Sequence, residues 1–192
     1  MDTGHLSAAQ NMAMDSAILE ALHEGLCGPT IRFLSFKPHA VLVGSFQSVQ
    51  KEVRTEFCSA NHIDINRRIT GGGSLYWDEN DVGWEIYAKK DLFKKPSLED
   101  YYALFCSAVA TGINRFGIRS AFRPRNDIEV GKKKISGSGG TSIGNSFLFQ
   151  GTLLVDLDIE KMLRALKIPI EKLKYKEIHS LKQHGPLLGS TQ

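Results

Sequence analysis

Apolar and polar positions along this chain change period several times. Ser7-Ala8-Ala9-Gln10 has the form of a capping box, in which the Ser7 oxygen and the Gln10 amide each satisfy a free backbone N–H, and Met14, Ile18 and Leu22 follow at steps of four. The pattern predicts a helix that fades near residues 25–28. Two β-rich stretches come next, 30–36 and 40–46, separated by Lys37-Pro38-His39, where proline forbids a continued ladder. Val49, Val53 and Phe57 share one face of a predicted helix over 48–61, and residues 63–69 read as a strand ending at Gly71-Gly72-Gly73. Val82, Trp84 and Ile86 alternate with Gly83, Glu85 and Tyr87, the period of a half-buried strand.

Ser97 caps the strongest predicted helix, with Leu98, Tyr102, Phe105, Val109, Ile113 and Phe116 as its apolar stripe and Gly117 as its stop. From 119 to 155 the chain is β-like again: 128–130, a turn near Gly131, Lys134-Ile135, a glycine-rich loop, then 147–155. A helix from Asp158 through Lys167, closed by Pro169, and a last helix over 171–183 complete the pattern. The strand spacings suit hairpins better than repeated crossovers, which predicts an α+β or mixed-sheet fold. No internal repeat or flexible linker divides the chain, so residues 1–192 read as one domain.

Composition narrows the function classes. With 42% apolar and 23% charged residues the chain is ordinary globular protein. A formal charge of +3 is too mild to imply a nucleic-acid partner. No apolar run reaches the ~20 residues of a membrane span, and Met1-Asp2-Thr3-Gly4-His5 lacks the features of a signal peptide. Cys27, Cys58 and Cys106 form no metal-binding pair and no disulfide framework, which suits a reducing cytoplasm. Glycine is the anomaly: 18 residues, half of them within 71–73 and 131–151.

Those glycines mark the candidate chemistry. In Arg67-Arg68-Ile69-Thr70-Gly71-Gly72-Gly73 the three glycines leave the backbone bare for a ligand, and the paired arginines offer bidentate donors for a carboxylate or phosphate. A glycine turn flanked by solvated arginines is the plainer reading. In Lys132-Lys133-Lys134-Ile135-Ser136-Gly137-Ser138-Gly139-Gly140-Thr141 a lysine on a strand, next to a small-residue loop, can place its ammonium on a carbonyl or phosphoryl oxygen. The run is not a Walker loop, because its lysine precedes the glycines. In an extended segment Lys132 and Lys134 share one face and Lys133 takes the other. Asp127 in Arg125-Asn126-Asp127-Ile128 offers a carboxylate to a divalent metal or a cation, and a turn-forming Asn-Asp pair is the plainer reading.

Taken in order, these segments resemble the lipoate–protein ligase A catalytic domain, within the wider biotin/lipoate ligase and octanoyltransferase group. The resemblance runs from Asn11-Met12-Ala13-Met14-Asp15 through Val41–Gln47, Arg67–Asp78, Arg125–Asp127 and Lys134–Ser138 to Gln150-Gly151-Thr152-Leu153-Leu154. It implies a mixed, mainly antiparallel sheet packed with helices, of class II synthetase/biotin-ligase-like architecture, with a ligand tunnel over the sheet. It implies a two-step reaction: lipoate and Mg-ATP give lipoyl-AMP and pyrophosphate, and a lysine of a lipoyl-carrier domain then takes the acyl group. ATP and Mg2+ would serve that reaction, with lipoate as substrate. By matching motifs, Lys134 would be catalytic. Arg68, Thr70, Gly71, Gly72, Gly73, Ser136, Gly137, Ser138, Gly151 and Thr152 would line the lipoyl and adenylate path. Tyr76, Asn126 and Asp127 would hold the nucleotide end, Asp127 with the metal.

Three positions depart from the family pattern: Trp77 and Gln150 stand where histidines are common, and Gly83 where asparagine is usual. The resemblance also leads one to expect the smaller accessory C-terminal domain of many such ligases; without it in this sequence, the expectation is a catalytic half with a separate accessory subunit, a truncated form, or a variant that works alone. An octanoyltransferase is the nearest rival, but it carries the acyl group on a cysteine, and Cys106, the last cysteine, sits inside a periodic helix. A biotin–protein ligase would have Gly-Arg-Gly-Arg where this chain has Thr70-Gly71-Gly72-Gly73. A non-catalytic lipoyl-binding relative is the third alternative, favoured by Trp77 and Gly83. Seven basic residues between 161 and 184, against Glu171 and Glu177, would attract an acidic carrier domain if they are more than a solvated face.

Overall fold

A computed structural model describes residues 1–168. The chain begins with strand β1 (Asp2–Leu6), which the hydropathy pattern did not announce, and helix α1 (Ala8–Glu24). The capping box is present at Ser7, and Gly25 at φ +78° closes the helix in the left-handed conformation that glycine adopts freely. Strands β2 (Thr30–Phe36) and β3 (Ala40–Val43) follow. The helix expected over 48–61 divides into α2 (Val49–Glu52) and α3 (Thr55–Ala60), because Val53 between them pairs with Leu166 instead.

Next come β4 (Asp64–Arg67), β5 (Leu75–Trp77), β6 (Val82–Lys89), a single turn α4 (Lys90–Phe93) and the long helix α5 (Leu98–Asn114). Ser97 forms the second capping box. The ends of the predicted α5 stripe, Leu98 and Phe116, are 60% and 66% exposed, so only its middle is buried. The chain finishes with β7 (Ser120–Arg123), β8 (Asp127–Val130), β9 (Lys133–Ile143), β10 (Ser146–Leu153) and α6 (Ile159–Ala165). The segment read as a glycine-rich loop, 136–140, is therefore the middle of β9. The predicted helix over 171–183, Pro169 and the basic tail beyond Lys167 lie outside the described residues.

Seven strands form one sheet in the order β1-β2-β6-β10-β9-β8-β7, antiparallel except for β1 with β2. A small sheet β4-β3-β5 stands beside it, with β3 parallel to β4 and antiparallel to β5. This is the expected mixed, mainly antiparallel α+β architecture. Among the described residues no helix is long and apolar enough to cross a membrane.

β6 corrects the alternation argument. It is central, between β2 and β10, and both of its faces are covered. Trp84 joins the α5 cluster with Phe105 and Phe149, while Tyr87 joins Leu19 and Leu22 of α1. α1 likewise buries Asn11, Met12, Asp15, Leu19 and Leu22 in place of the Met14–Ile18 stripe. Asn11 and Asp15 are drawn to that face by Arg32 on β2, which is fully buried. Its guanidinium donates to Asp15 at 2.9 Å, to Glu85 at 3.1 Å, and to Asn11, and Tyr87 donates to Glu85 at 2.7 Å. One cation serves two buried carboxylates. Burial first, and then the charge of Glu85, pushes Asp15 up to about 8, and burial raises Glu85 as well, so the pair retains a proton near neutrality.

Candidate active site

The glycine triplet follows β4, and two arginines fix its position. Arg67 Nη1 donates to the carbonyls of Gly44 (2.8 Å), Ser45 (3.2 Å) and Gln47 (2.7 Å), which pins the turn after β3. Arg68 turns inward and is 4% exposed. It donates to Leu42 O (3.1 Å), Gly71 O (2.9 Å) and Gly73 O (2.7 Å). Burial lowers Arg68 to about 10, which leaves it charged at neutral pH. The expected bidentate carboxylate donors are thus occupied with backbone. These bonds hold two loops in contact: a Cβ on Gly44 would stand 2.2 Å from Gly72 O, and Gly72 itself has φ +101°. No atom lies within 4 Å of where a Cβ on Gly71 or Gly73 would stand. The space beside these two glycines is open, while their carbonyls are taken by Arg68.

Thr70 is buried; its carbonyl accepts from Ser45 N at 3.0 Å and its hydroxyl from Gln150 Nε2 at 3.1 Å. That bond ties the glycine loop to β10 of the large sheet.

The second wall comes from β8 and β9. A register shift between Ile128 and Glu129 changes which residues face each other across the pair, so that Asp127 opposes Gly137 while Lys134 opposes Glu129. Lys134 Nζ meets Asp127 Oδ1 at 2.6 Å, and each side chain is 22% exposed. A Cβ on Gly137 would stand 2.7 Å from that ammonium, so glycine there admits the lysine. Lys132 does not share its face: at φ +69° it sits in the turn before β9 and is exposed. Asn126 Nδ2 donates to Ser138 O at 2.8 Å, and Ser138 N and Oγ donate back to Asn126 O at 3.0 and 2.9 Å. Thr152 Oγ1 accepts from Gly137 N at 3.1 Å.

Between the walls lies a cavity of about 170 Å³. Its polar part is formed by Gly71–Gly73, Lys134, Asn126 and the strand 137–139; its apolar part by Met12, Leu34, Phe36, Leu42 and Trp77. Arg68, Thr70, Gly151 and Thr152 also line it, and Asp127 reaches it through Lys134. Three predicted residues are not part of the lining: Asp127, which only pairs with Lys134 there, Ser136 and Tyr76. Ser136 is fully buried in β9. Tyr76 lies in the small-sheet core, 4% exposed, with its hydroxyl 2.6 Å from His39 Nδ1, because alternation along β5 turns its ring away from the side taken by Leu75 and Trp77. Glu85 is a cavity residue that the sequence reading missed; the glycine two positions before it was the available signal.

Among the described residues no group of three or more His, Cys, Asp or Glu could hold a metal by itself. Mg2+ that arrives with a nucleotide needs only one or two carboxylates besides phosphates and water, and Asp127 fits that smaller requirement. The cysteines are poorly placed for nucleophilic work. Cys27 Sγ bonds Ile18 O at 3.8 Å, Cys58 is buried in the small-sheet core, and Cys106 Sγ lies 3.2 Å from Ser138 Oγ. Burial pushes the Cys58 and Cys106 thiols up, away from the reactive thiolate.

Residues 7–185 match the family model of the lipoyl protein ligase A/B catalytic domain. The chain belongs to this family. Within it, the chain is 30% identical over 144 residues to lipoate–protein ligase 1 of Staphylococcus aureus, covering 75% of this chain and 43% of that protein. It is 28% identical over 187 residues to the octanoyltransferase LipM of Clostridioides difficile, covering 86% of this chain and 68% of that one. The chain thus spans less than half of the staphylococcal relative. Two solved structures share the fold. One is a bi-partite lipoate protein ligase from Thermoplasma acidophilum, at TM-score 0.80 and 22% identity over 97% of this chain and 76% of that one. The other is a lipoate-protein ligase A bound with ATP, at TM-score 0.80 and 23% identity over 95% and 77%. These relatives thus include both a ligase and an octanoyltransferase by name.

Proposed function

We propose that this domain is a lipoate–protein ligase, which activates lipoate with ATP and transfers the acyl group to a lysine of a lipoyl-carrier domain. The observation that carries this reading is Lys134, held by Asp127 at the edge of a cavity that is also lined by Gly71–Gly73, with no side chain on that backbone. Such a site needs no protein nucleophile. In the first step a lipoate carboxylate oxygen attacks the α-phosphorus of ATP, the bond to the β-phosphate oxygen breaks, and pyrophosphate leaves. Lys134 offsets the repulsion between the two anions and the charge that builds on the phosphoryl oxygens. Asn126 and the strand 137–139 hold the adenylate, and Asp127 would supply the protein's carboxylate to Mg2+, which when bound neutralises phosphate charge. In the second step the acceptor amine attacks the acyl carbon, AMP departs with the bonding electrons, and the amine proton passes to solvent.

The octanoyltransferase reading is favoured by one observation, the contact of Cys106 with Ser138, a cavity residue. Against it stand the full burial of that thiol and its raised pKa. The two are separated by incubating the protein either with lipoate and Mg-ATP or with an octanoylated carrier domain, and analysing products by mass spectrometry. The ligase gives pyrophosphate and lipoyl-AMP and retains both in Cys106→Ala. A thioester on Cys106, lost in that variant, overturns the proposal.

A further inference from the structure

Gly83 and Trp77, two of the positions that depart from the family pattern, touch each other. Gly83 lies in the central strand β6, paired with Leu34 of β2 and Thr152 of β10. A Cβ built on it would stand 2.7 Å from Leu34 Cδ2 and 3.2 Å from the Trp77 ring, so it would collide with the leucine and crowd the indole. Its φ is not in the left-handed region, and the requirement for glycine here is one of space. The absent side chain leaves a trough in the sheet, which Leu34 and the Trp77 indole fill. Trp77 is 5% exposed and lies against Phe36 with ring centroids 4.7 Å apart. Leu34, Phe36, Trp77 and Gly83 all border the apolar part of the cavity.

We propose that Trp77, seated over Gly83, walls the apolar part of the acyl cavity and sets the length of the chain it accepts. This specificity assignment rests on the proposed acyl-activating function. The size argument is direct: an apolar cavity of 150 Å³ holds benzene, and the whole cavity here is about 170 Å³, including its polar part. The volume open to an acyl tail is therefore limited, and the indole is part of its lining. A longer tail has to displace the indole, and the sheet floor beneath it is already taken by Leu34.

Two substitutions move the wall in opposite directions. Trp77→Ala vacates the trough and extends the cavity, whereas Gly83→Ala drives Leu34 and the indole toward the ligand and shortens it. Each methylene newly buried is worth about fourfold in binding. Dodecanoate should therefore gain on the order of 100-fold over octanoate, in kcat/KM for acyl-AMP formation, on going from wild type to Trp77→Ala. Gly83→Ala should turn preference from octanoate toward hexanoate. Because Trp77→Ala removes a core side chain, Trp77→Leu serves as a milder enlargement, and thermal stabilisation by hexanoate, octanoate and dodecanoate is read alongside activity. An unchanged chain-length order in the enlarging and shortening variants, or a shift in the same direction in both, overturns the assignment. If wild type yields no acyl-AMP from any acid, the ligase reading fails separately, and the chain-length shifts in the melting curves still decide the role of Trp77.

Discussion

Arg68 is 4% exposed and donates to three backbone carbonyls, whereas the Lys134 side chain, 22% exposed, reaches a single carboxylate at the edge of the same cavity. Both are cations next to glycines, and in the sequence they read alike. Their depth separates them. A guanidinium withdrawn from water needs acceptors for its fork of donors, and the carbonyls of residues 42, 71 and 73 supply them, so Arg68 builds the glycine loop. An ammonium at a partly wet edge can exchange one carboxylate for a ligand's oxygens at modest cost. The cation of the first wall is therefore spent on its own backbone, and that of the second is the one a ligand can reach.

The sharpest test of that contrast is Lys134→Ala. Acyl-adenylate formation should fall by about 10²–10³-fold, with the melting temperature moved by no more than about 2 °C, since a single partly exposed ion pair adds little stability. A comparable loss of stability would mean that both cations are structural. Arg68→Met should do the reverse, lowering unfolding free energy by about 3 kcal/mol in urea titration, because buried carbonyls lose their donor. If the variant keeps full stability and loses only binding, Arg68 is a ligand donor and the contrast collapses.

The smallest effects separate the two glycine segments. Gly140→Ala would bring a Cβ to 2.7 Å from Leu148 O in the neighbouring strand, and should cost about 1–3 kcal/mol without changing the apparent affinity for lipoate. Gly71→Ala, with no atom within 4 Å of the new methyl, should stay within about 0.5 kcal/mol of wild type in stability and raise KM instead. Equal stability losses would show that the two segments are built alike.

Much of the fold was legible from short-range signals. The capping box at Ser7, the cap at Ser97, the break at Pro38, the turn at Gly131 and the lysine strand follow from residues close together in sequence. The two walls of the site could be named for the same reason, since each is a continuous run. The errors share a cause. Ser136–Gly140 was read as a loop because glycines lack intrinsic strand preference, yet β10 supplies a ladder partner for Ser138, Gly139 and Gly140. The motif around Tyr76 points it at the nucleotide, and strand alternation turns its ring to the other side. The apolar part of the cavity could not be seen at all, since Met12, Leu34, Phe36, Leu42 and Trp77 come from α1, β2, β3 and β5.

By itself the order of residues determined where helices start, where the backbone is bare, and which lysine stands next to which glycines. These depend on contacts within a few residues. Tertiary structure alone decided which charges are enclosed. Arg32 meets Asp15 across 17 positions and Glu85 across 53, and Gly83 makes room for a tryptophan that precedes it on another strand. Hydropathy periods report one face of one element. Burial on both sides of β6, and the volume left over Gly83, come into being only when separate elements close on each other and exclude water.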